Sequence, residues 1–360
     1  MTTEARVGDQ QELRAEIAGL AAHAMAAADP WAETVRAGLL ALAVPERCGG
    51  DGLGAGEALA VLHEAGRRAA AVPALATIAL GVLPLARWGT PEQQDDALAP
   101  VVADGAVLTA ALTEPSAPPA AVPRTTARRT AGGFALSGVK TGVPYAGRAH
   151  RVLVPAAVDG EAAVFVVDPR APGVAVTPAH ASGDDAVARV ALDGVAAGPE
   201  AVLPGGPRVL ADLRRLAAAG AATTADGLLA GALALTAEHV RTREQFGRPL
   251  ATFQAVAQHL ADVYVTARAV HLVATAACDA LADRAGPTGD AADDPEVAAA
   301  WVTEEARAAI ATCHHLHGGV GLDRSYPLHR FSAAATDLAH LLGGSDAALD
   351  ALATTLFEDR

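Results

Sequence analysis

The sequence predicts an α+β protein in three parts. A helical N-terminal domain spans residues 1–105, a small β-barrel or sandwich spans 106–205, and a C-terminal four-helix domain spans 206–360. Three observations predict it. Apolar residues recur at helical spacing in both outer thirds. The middle third alternates short β-like runs with turns. Near residue 247 a long Ala/Leu-rich stretch meets a Gly–Pro turn and restarts as a second helix, the pattern of a helical hairpin. With 360 residues, 51% of them hydrophobic and 19% charged, the chain can bury a large core.

The first helix is expected over residues 10–28, where Leu13, Ile17 and Leu20 repeat at spacings of four and three. A second is expected from Trp31 to Leu42, followed by a Gly- and Pro-rich loop through Gly49-Gly50-Asp51-Gly52. Further helices are expected over Glu57 to Gly66, Pro73 to Trp88 and Pro91 to Ala103. Strands are expected at Phe134 to Ser137, Arg151 to Val154, Ala162 to Val167, Val174 to Pro178 and Ala186 to Leu192. Asp159-Gly160 is a turn pair between two of these. Four long helices follow: Leu210 to Arg243, Phe253 to Asp283, Pro295 to His317 and Ser332 to Phe357. A Pro/Gly/Asp loop is expected over Arg284 to Asp294.

The net charge of −14 argues against a nucleic-acid or anionic-membrane partner. It leaves room for a local cationic pocket. The three cysteines, Cys48, Cys278 and Cys313, are too few and too scattered for a disulfide framework, and a reduced, cytoplasmic setting is expected. The polar N-terminus does not read as a signal peptide. The apolar runs are broken before they reach the roughly 20 residues of a membrane span.

The hairpin carries the densest chemistry. Arg243, Phe246, Gly247, Pro249, Phe253 and Gln254 put a guanidinium, aromatic rings and an amide within a dozen residues. That set suits a nucleotide, with the cation to phosphate and the ring and amide to a base. Charged side chains at helix ends are also commonly solvated caps, so the set alone does not decide. Its wording does more. R-x-x-F-G-x-P-L-x-x-F-Q closely resembles the helical hairpin of the acyl-CoA dehydrogenase family. Two further stretches resemble that family in the same order. One is Leu112-Thr113-Glu114-Pro115. The other is Cys313-His314-His315-Leu316-His317-Gly318-Gly319-Val320-Gly321, followed by Tyr326-Pro327-Leu328-His329-Arg330-Phe331. The resemblance covers nearly the whole chain.

The resemblance implies an FAD-dependent oxidoreductase that desaturates an acyl-CoA thioester. A carboxylate takes a proton next to the carbonyl while the flavin takes a hydride from the adjacent carbon. A positioned base contributes roughly 10²- to 10⁴-fold, so its loss would largely silence the reaction. Here the usual Glu position holds Leu342 and the minority position holds Arg214, which stays protonated in proteins. Asp337 is a weak remaining candidate, and no catalytic residue is assigned. The family's flavin-ring loop and strand are also altered. Ser116-Ala117-Pro118-Pro119-Ala120 follows Pro115, and Gly142 and Pro144 stand where the family places Trp and Thr/Ser.

By contrast, the resemblance implies that the contacts to a neighbour's adenosine diphosphate are kept: Arg243, Phe246, Phe253, Gln254, Gly318 and Gly319 match, and His315 replaces a Gln but can still donate or accept. The pattern resembles the base-lacking subunit of actinobacterial α2β2 steroid side-chain enzymes. It implies FAD shared with a Glu-bearing homologous subunit, a bulky acyl-CoA substrate and an electron-transfer flavoprotein as acceptor. Two rivals stand beside this: a self-sufficient homo-oligomer with a non-standard base, and a non-catalytic scaffold of the same fold. No metal is expected, because Cys313 and His317 share a helix face while His314 and His315 point elsewhere. Gly49 to Gly52 lacks the Lys-Ser/Thr of a phosphate loop, and Ser116 has no triad context.

Overall fold

A computed structural model describes residues 3–116, 119–184, 186–281 and 294–358. The expected loop at Arg284 lies outside these residues up to position 293, as do Ala117 and Pro118.

Six helices form the N-terminal part: α1 (Thr3–Ala24), α2 (Pro30–Arg36), α3 (Ala55–Arg67), α4 (Ala74–Thr77), α5 (Leu83–Trp88) and α6 (Pro91–Asp104). Local signals set several of their ends. The Asp29 carboxylate accepts from the Ala32 N–H at 3.0 Å and starts α2. Thr90 and Gln93 cap α6 reciprocally, and Gly105 closes it at φ 66°. The expected helix from Trp31 to Leu42 stops at Arg36, because Gly38 turns the chain at φ 71°. Between α4 and α5 the expected helix widens into one π turn, Ile78–Val82. Pro84 has no N–H for the carbonyl one turn back, and the widened turn sits just before it.

Seven strands form one mixed sheet: β1 (Val107–Ala110), β2 (Thr126–Thr130), β3 (Gly133–Pro144), β4 (Ala149–Val158), β5 (Glu161–Val167), β6 (Val174–Ala179) and β7 (Val187–Ala197). Its spine is the long antiparallel pair β3–β7, from Phe134 opposite Ala197 to Pro144 opposite Val187. Strand β6 lies along β7. Asp159 and Gly160 take φ 52° and 90° and close the β4–β5 hairpin, the geometry a two-residue turn needs. Two strands went unread in the sequence. β1 is short, and β2 (TARRT) has weak β-propensity. Parallel pairing of β1 with β4 and antiparallel pairing of β2 with β3 form them.

The C-terminal part holds α7 (Pro207–Thr242), α8 (Gln254–Asp279), α9 (Asp294–Trp301), α10 (Arg307–His317), α11 (Leu328–Leu341) and α12 (Ser345–Glu358). The expected helix over Pro295 to His317 is α9 and α10 joined by a π turn at Val302–Ala306. The expected helix from Ser332 to Phe357 is two helices. Gly343 and Gly344 take φ 88° and 86°, a left-handed pair that ends α11 before Ser345 starts α12. Helix α7 is the axis of the helical core. It is long and apolar enough to cross a membrane, yet most of it is buried in the protein. It crosses α3 at backbone contact: a Cβ on Gly227 would lie 2.0 Å from the His63 carbonyl oxygen. One apolar core runs through the helices, and a second, with Leu136, Val154, Phe165 and Val190, lies on the sheet.

Candidate functional site

The hairpin between α7 and α8 is a miniature β-ribbon, with Glu244 opposite Pro249 and Gln245 opposite Arg248. Phe246 and Gly247 form its turn at φ 53° and 76°. A bulky residue in the left-handed region is strained. Phe246 is also 90% exposed, so its ring is held out into solvent. Phe253 meets it edge-on at 6.1 Å, and the Arg248 guanidinium lies 4.1 Å over the Phe253 ring. Arg243 and Gln254 are exposed on either side.

The end of α10 joins this face. His239, one turn before Arg243, stacks on His317 at 4.3 Å. The His317 Nδ1–H donates to the Cys313 carbonyl at 2.8 Å, which leaves Nε2 to accept from the Tyr326 hydroxyl at 3.0 Å. Burial lowers the pKa of both imidazoles, with the His317 and Arg243 charges adding to the effect at His239. This stack holds the turn that follows α10. Gly318 takes φ 59° and ψ −141°, which only glycine adopts readily, and nothing lies within 4 Å of a Cβ built on Gly318 or Gly319. His315 is exposed beside them and meets His259 of α8 edge-on at 5.7 Å. All seven sequence-expected cofactor residues therefore lie along the joined ends of α7, α8 and α10. Open glycine backbone, an arginine, two aromatic rings and an amide are a donor set that fits a dinucleotide's pyrophosphate and base.

The second region is a crevice between the sheet, α11 and the end of α3. A cavity of about 460 Å³ there is lined by Gly142, Pro144, Tyr145, Leu338 and Leu341 among others. A neighbouring cavity of about 480 Å³ shares Gly142, Val187, Asp337 and Leu341 with it. Its floor rests on a charged pair that the sequence did not disclose. Lys140 is fully buried and its ammonium lies 2.8 Å from the Glu114 carboxylate. The same carboxylate accepts from the Thr125 hydroxyl at 2.6 Å and from the backbone N–H of Thr125 and Arg124. Burial alone would raise the Glu114 pKa. Lys140 and the three other donors outweigh it and bring it down to about 2.

This half of the region is a poor match for a flavin ring. Pro144 offers no N–H, Gly142 offers no side chain, and the Thr113 hydroxyl donates to the Thr141 carbonyl. The two positions at which the family resemblance leads one to expect a base come together elsewhere. Leu342 and Arg214 line one cavity of about 60 Å³, large enough for a few waters but not for an acyl chain. Glu296 of α9 lines it too, and its charge acts on the Arg214 guanidinium. Glu296 is the residue that sequence reading missed here, since nothing in its surroundings marks it. Asp337 does not reach this cavity. Its two oxygens accept from the Ser182 and Gly183 N–H groups at 2.8 and 3.2 Å, so the carboxylate ties the β6–β7 loop to α11.

A helical part, a mixed sheet, a second helical part and a dinucleotide-type face at a helical hairpin define a flavoprotein oxidoreductase fold. Comparison with known proteins makes this specific. Residues 5–105 match the acyl-CoA dehydrogenase N-terminal domain and residues 210–356 the C-terminal domain. Acyl-CoA dehydrogenase FadE28 of Mycobacterium tuberculosis is 47% identical over 327 residues, covering 89% of this chain and 91% of the relative. FadE27 of the same organism is 38% identical, covering 91% and 88%. The ChsE4-ChsE5 complex of M. tuberculosis superposes with a TM-score of 0.85 at 34% identity, covering 99% of this chain and 98% of that one. The Tcur3481-Tcur3483 steroid ACAD G363A variant gives 0.87 at 34%, covering 99% of both. The chain belongs to the acyl-CoA dehydrogenase family, whose members are oxidoreductases with FAD as cofactor.

Proposed function

We propose that this chain is the base-lacking subunit of a hetero-oligomeric acyl-CoA dehydrogenase, acting in the cytoplasm on a bulky acyl thioester. It completes the FAD site of a Glu-bearing homologous partner. Arg243, Phe246, Phe253, Gln254, His315, Gly318 and Gly319 hold the adenosine diphosphate half of the cofactor. FAD would supply the hydride acceptor, and the partner would supply the base and the ring contacts. An electron-transfer flavoprotein is the expected acceptor. The observation that carries the reading is an asymmetry. The dinucleotide face is intact and open, whereas Leu342 and Arg214 stand at both base positions and Gly142 and Pro144 at the ring positions. Relatives at 34% identity that are two-component assemblies by name lend support.

The test is purification of the chain alone and co-expressed with a Glu-bearing homologue encoded nearby. Alone it is expected to be flavin-poor and inactive, and the pair yellow and active on acyl-CoA. In the pair, Arg243→Ala is expected to weaken FAD binding by about tenfold or more, the cost of one charge-assisted phosphate contact. A yellow, active protein from this chain alone, silenced by Asp337→Asn or Glu296→Gln, would overturn the proposal.

A further inference from the structure

The cavity of about 460 Å³ runs beside α11 from Arg324, His329 and Arg330 at one end to Leu338 and Leu341 at the other. Eleven helical residues separate Arg330 from Leu341, which makes the cavity wall about 16 Å long. Its sides are apolar and small, with Leu62, Ala65, Ala70, Leu75, Leu228 and Ala334 among them. Such a slot suits a rigid hydrocarbon body.

The arginine end does not fit a purely apolar ligand. Arg324 and Arg330 are exposed at this end of a chain whose net charge is −14, and among the described residues neither side chain has an ion pair or hydrogen bond. The two carboxylates on the wall leave them free. Asp337 is occupied by the Ser182 and Gly183 amides, and Asp184 pairs with neither arginine. The His329 Nδ1–H donates to the Tyr326 carbonyl at 2.7 Å, which fixes the ring beside the guanidinium groups. Guanidinium forks are shaped for carboxylate and other planar anions.

We propose that this cavity binds an amphipathic anion, with the apolar body along α11 and the acidic group held by Arg324 and Arg330. The ligand is a rigid hydrocarbon with one acidic group, bound in this chain's own cavity and apart from the partner's site, where the function proposed above places the base and the ring contacts. Arg324 and Arg330 are the residues that read its acidic end.

The test needs neither flavin nor partner. The full-length chain is titrated with 8-anilino-1-naphthalenesulfonate and with N-phenyl-1-naphthylamine, which has the same rings without the anion. Both are expected to bind, the sulfonate more tightly. Arg324→Gln with Arg330→Gln should weaken the sulfonate by about tenfold, as loss of a charge-assisted contact does, and leave the neutral probe unchanged. Ala333→Trp, or Ala70→Trp on the opposite wall should the first not fold, should fill the slot and weaken both. An unchanged sulfonate affinity in the double variant overturns the proposal. So does an equal loss of both probes there, or full binding of both in a folded tryptophan variant. A failure here alongside a successful co-purification would remove only this ligand site and leave the proposed function standing.

Discussion

Lys140 is buried to the last atom, and its tolerance depends on what surrounds it. An isolated buried ammonium is strongly disfavoured, and Glu114 offsets that cost only because Thr125 and two backbone amides fill the carboxylate's remaining lone pairs. Lys140→Met is expected to lower stability by about 3–5 kcal/mol, as breaking a buried pair does, read by urea denaturation at neutral pH. The pair also has a pH signature. The folded Glu114 pKa is depressed from 4.5 to about 2, so its contribution is complete above pH 4.5 and lost as pH falls towards 2. In Lys140→Met the acid limb should therefore flatten in that window. Glu114 was visible in the sequence as part of the Leu112-Thr113-Glu114-Pro115 motif, and Lys140 lies two residues before Gly142. Their pairing was not visible, because it depends on the bridge that brings Thr113 opposite Thr141.

At the scale of elements, glycine decides where helices meet and where they end. Gly66 and Gly227 let α3 and α7 touch backbone to backbone, with no space for a methyl group on either. Gly227→Ala is expected to push the helices apart and cost about 1–3 kcal/mol, the usual penalty of overpacking, read as a lower thermal midpoint. Neither helix's periodicity discloses this crossing, since a glycine in a helical run reads only as a weak point. Gly343 and Gly344 act differently. Both are left-handed, and they divide what apolar spacing suggested was one helix. Spacing continued through the break because apolar residues recur at helical intervals in both segments, although α11 buries a whole face and α12, among its described residues, buries only Ala348. The hairpin was legible for the converse reason. Phe246-Gly247 and the following Pro249 are local turn signals, and the two-residue ribbon needs no distant partner.

At the scale of the molecule, the proposed division of labour predicts what a restored base would do. Leu342→Glu replaces the missing carboxylate but leaves Gly142 and Pro144 at the ring position. The lone variant is expected to remain without turnover, since a general base adds its 10²- to 10⁴-fold only where cofactor and substrate are already positioned. Acyl-CoA oxidation by lone Leu342→Glu, followed with an artificial electron acceptor, would contradict that. The sequence by itself determined the order of the three parts and the hairpin with its cofactor-type residues, and it put Leu342 and Arg214 where the family resemblance leads one to expect a base. Each of these is written in contiguous residues, as turn chemistry, periodicity or motif. Only the tertiary structure decided that Arg214, Leu342 and Glu296 share one cavity, that Asp337 is committed to a loop, and that two unpaired arginines end an apolar slot. Those facts arise where segments far apart in the chain pack together, and close packing, unlike a turn, leaves no local mark in the residues it joins.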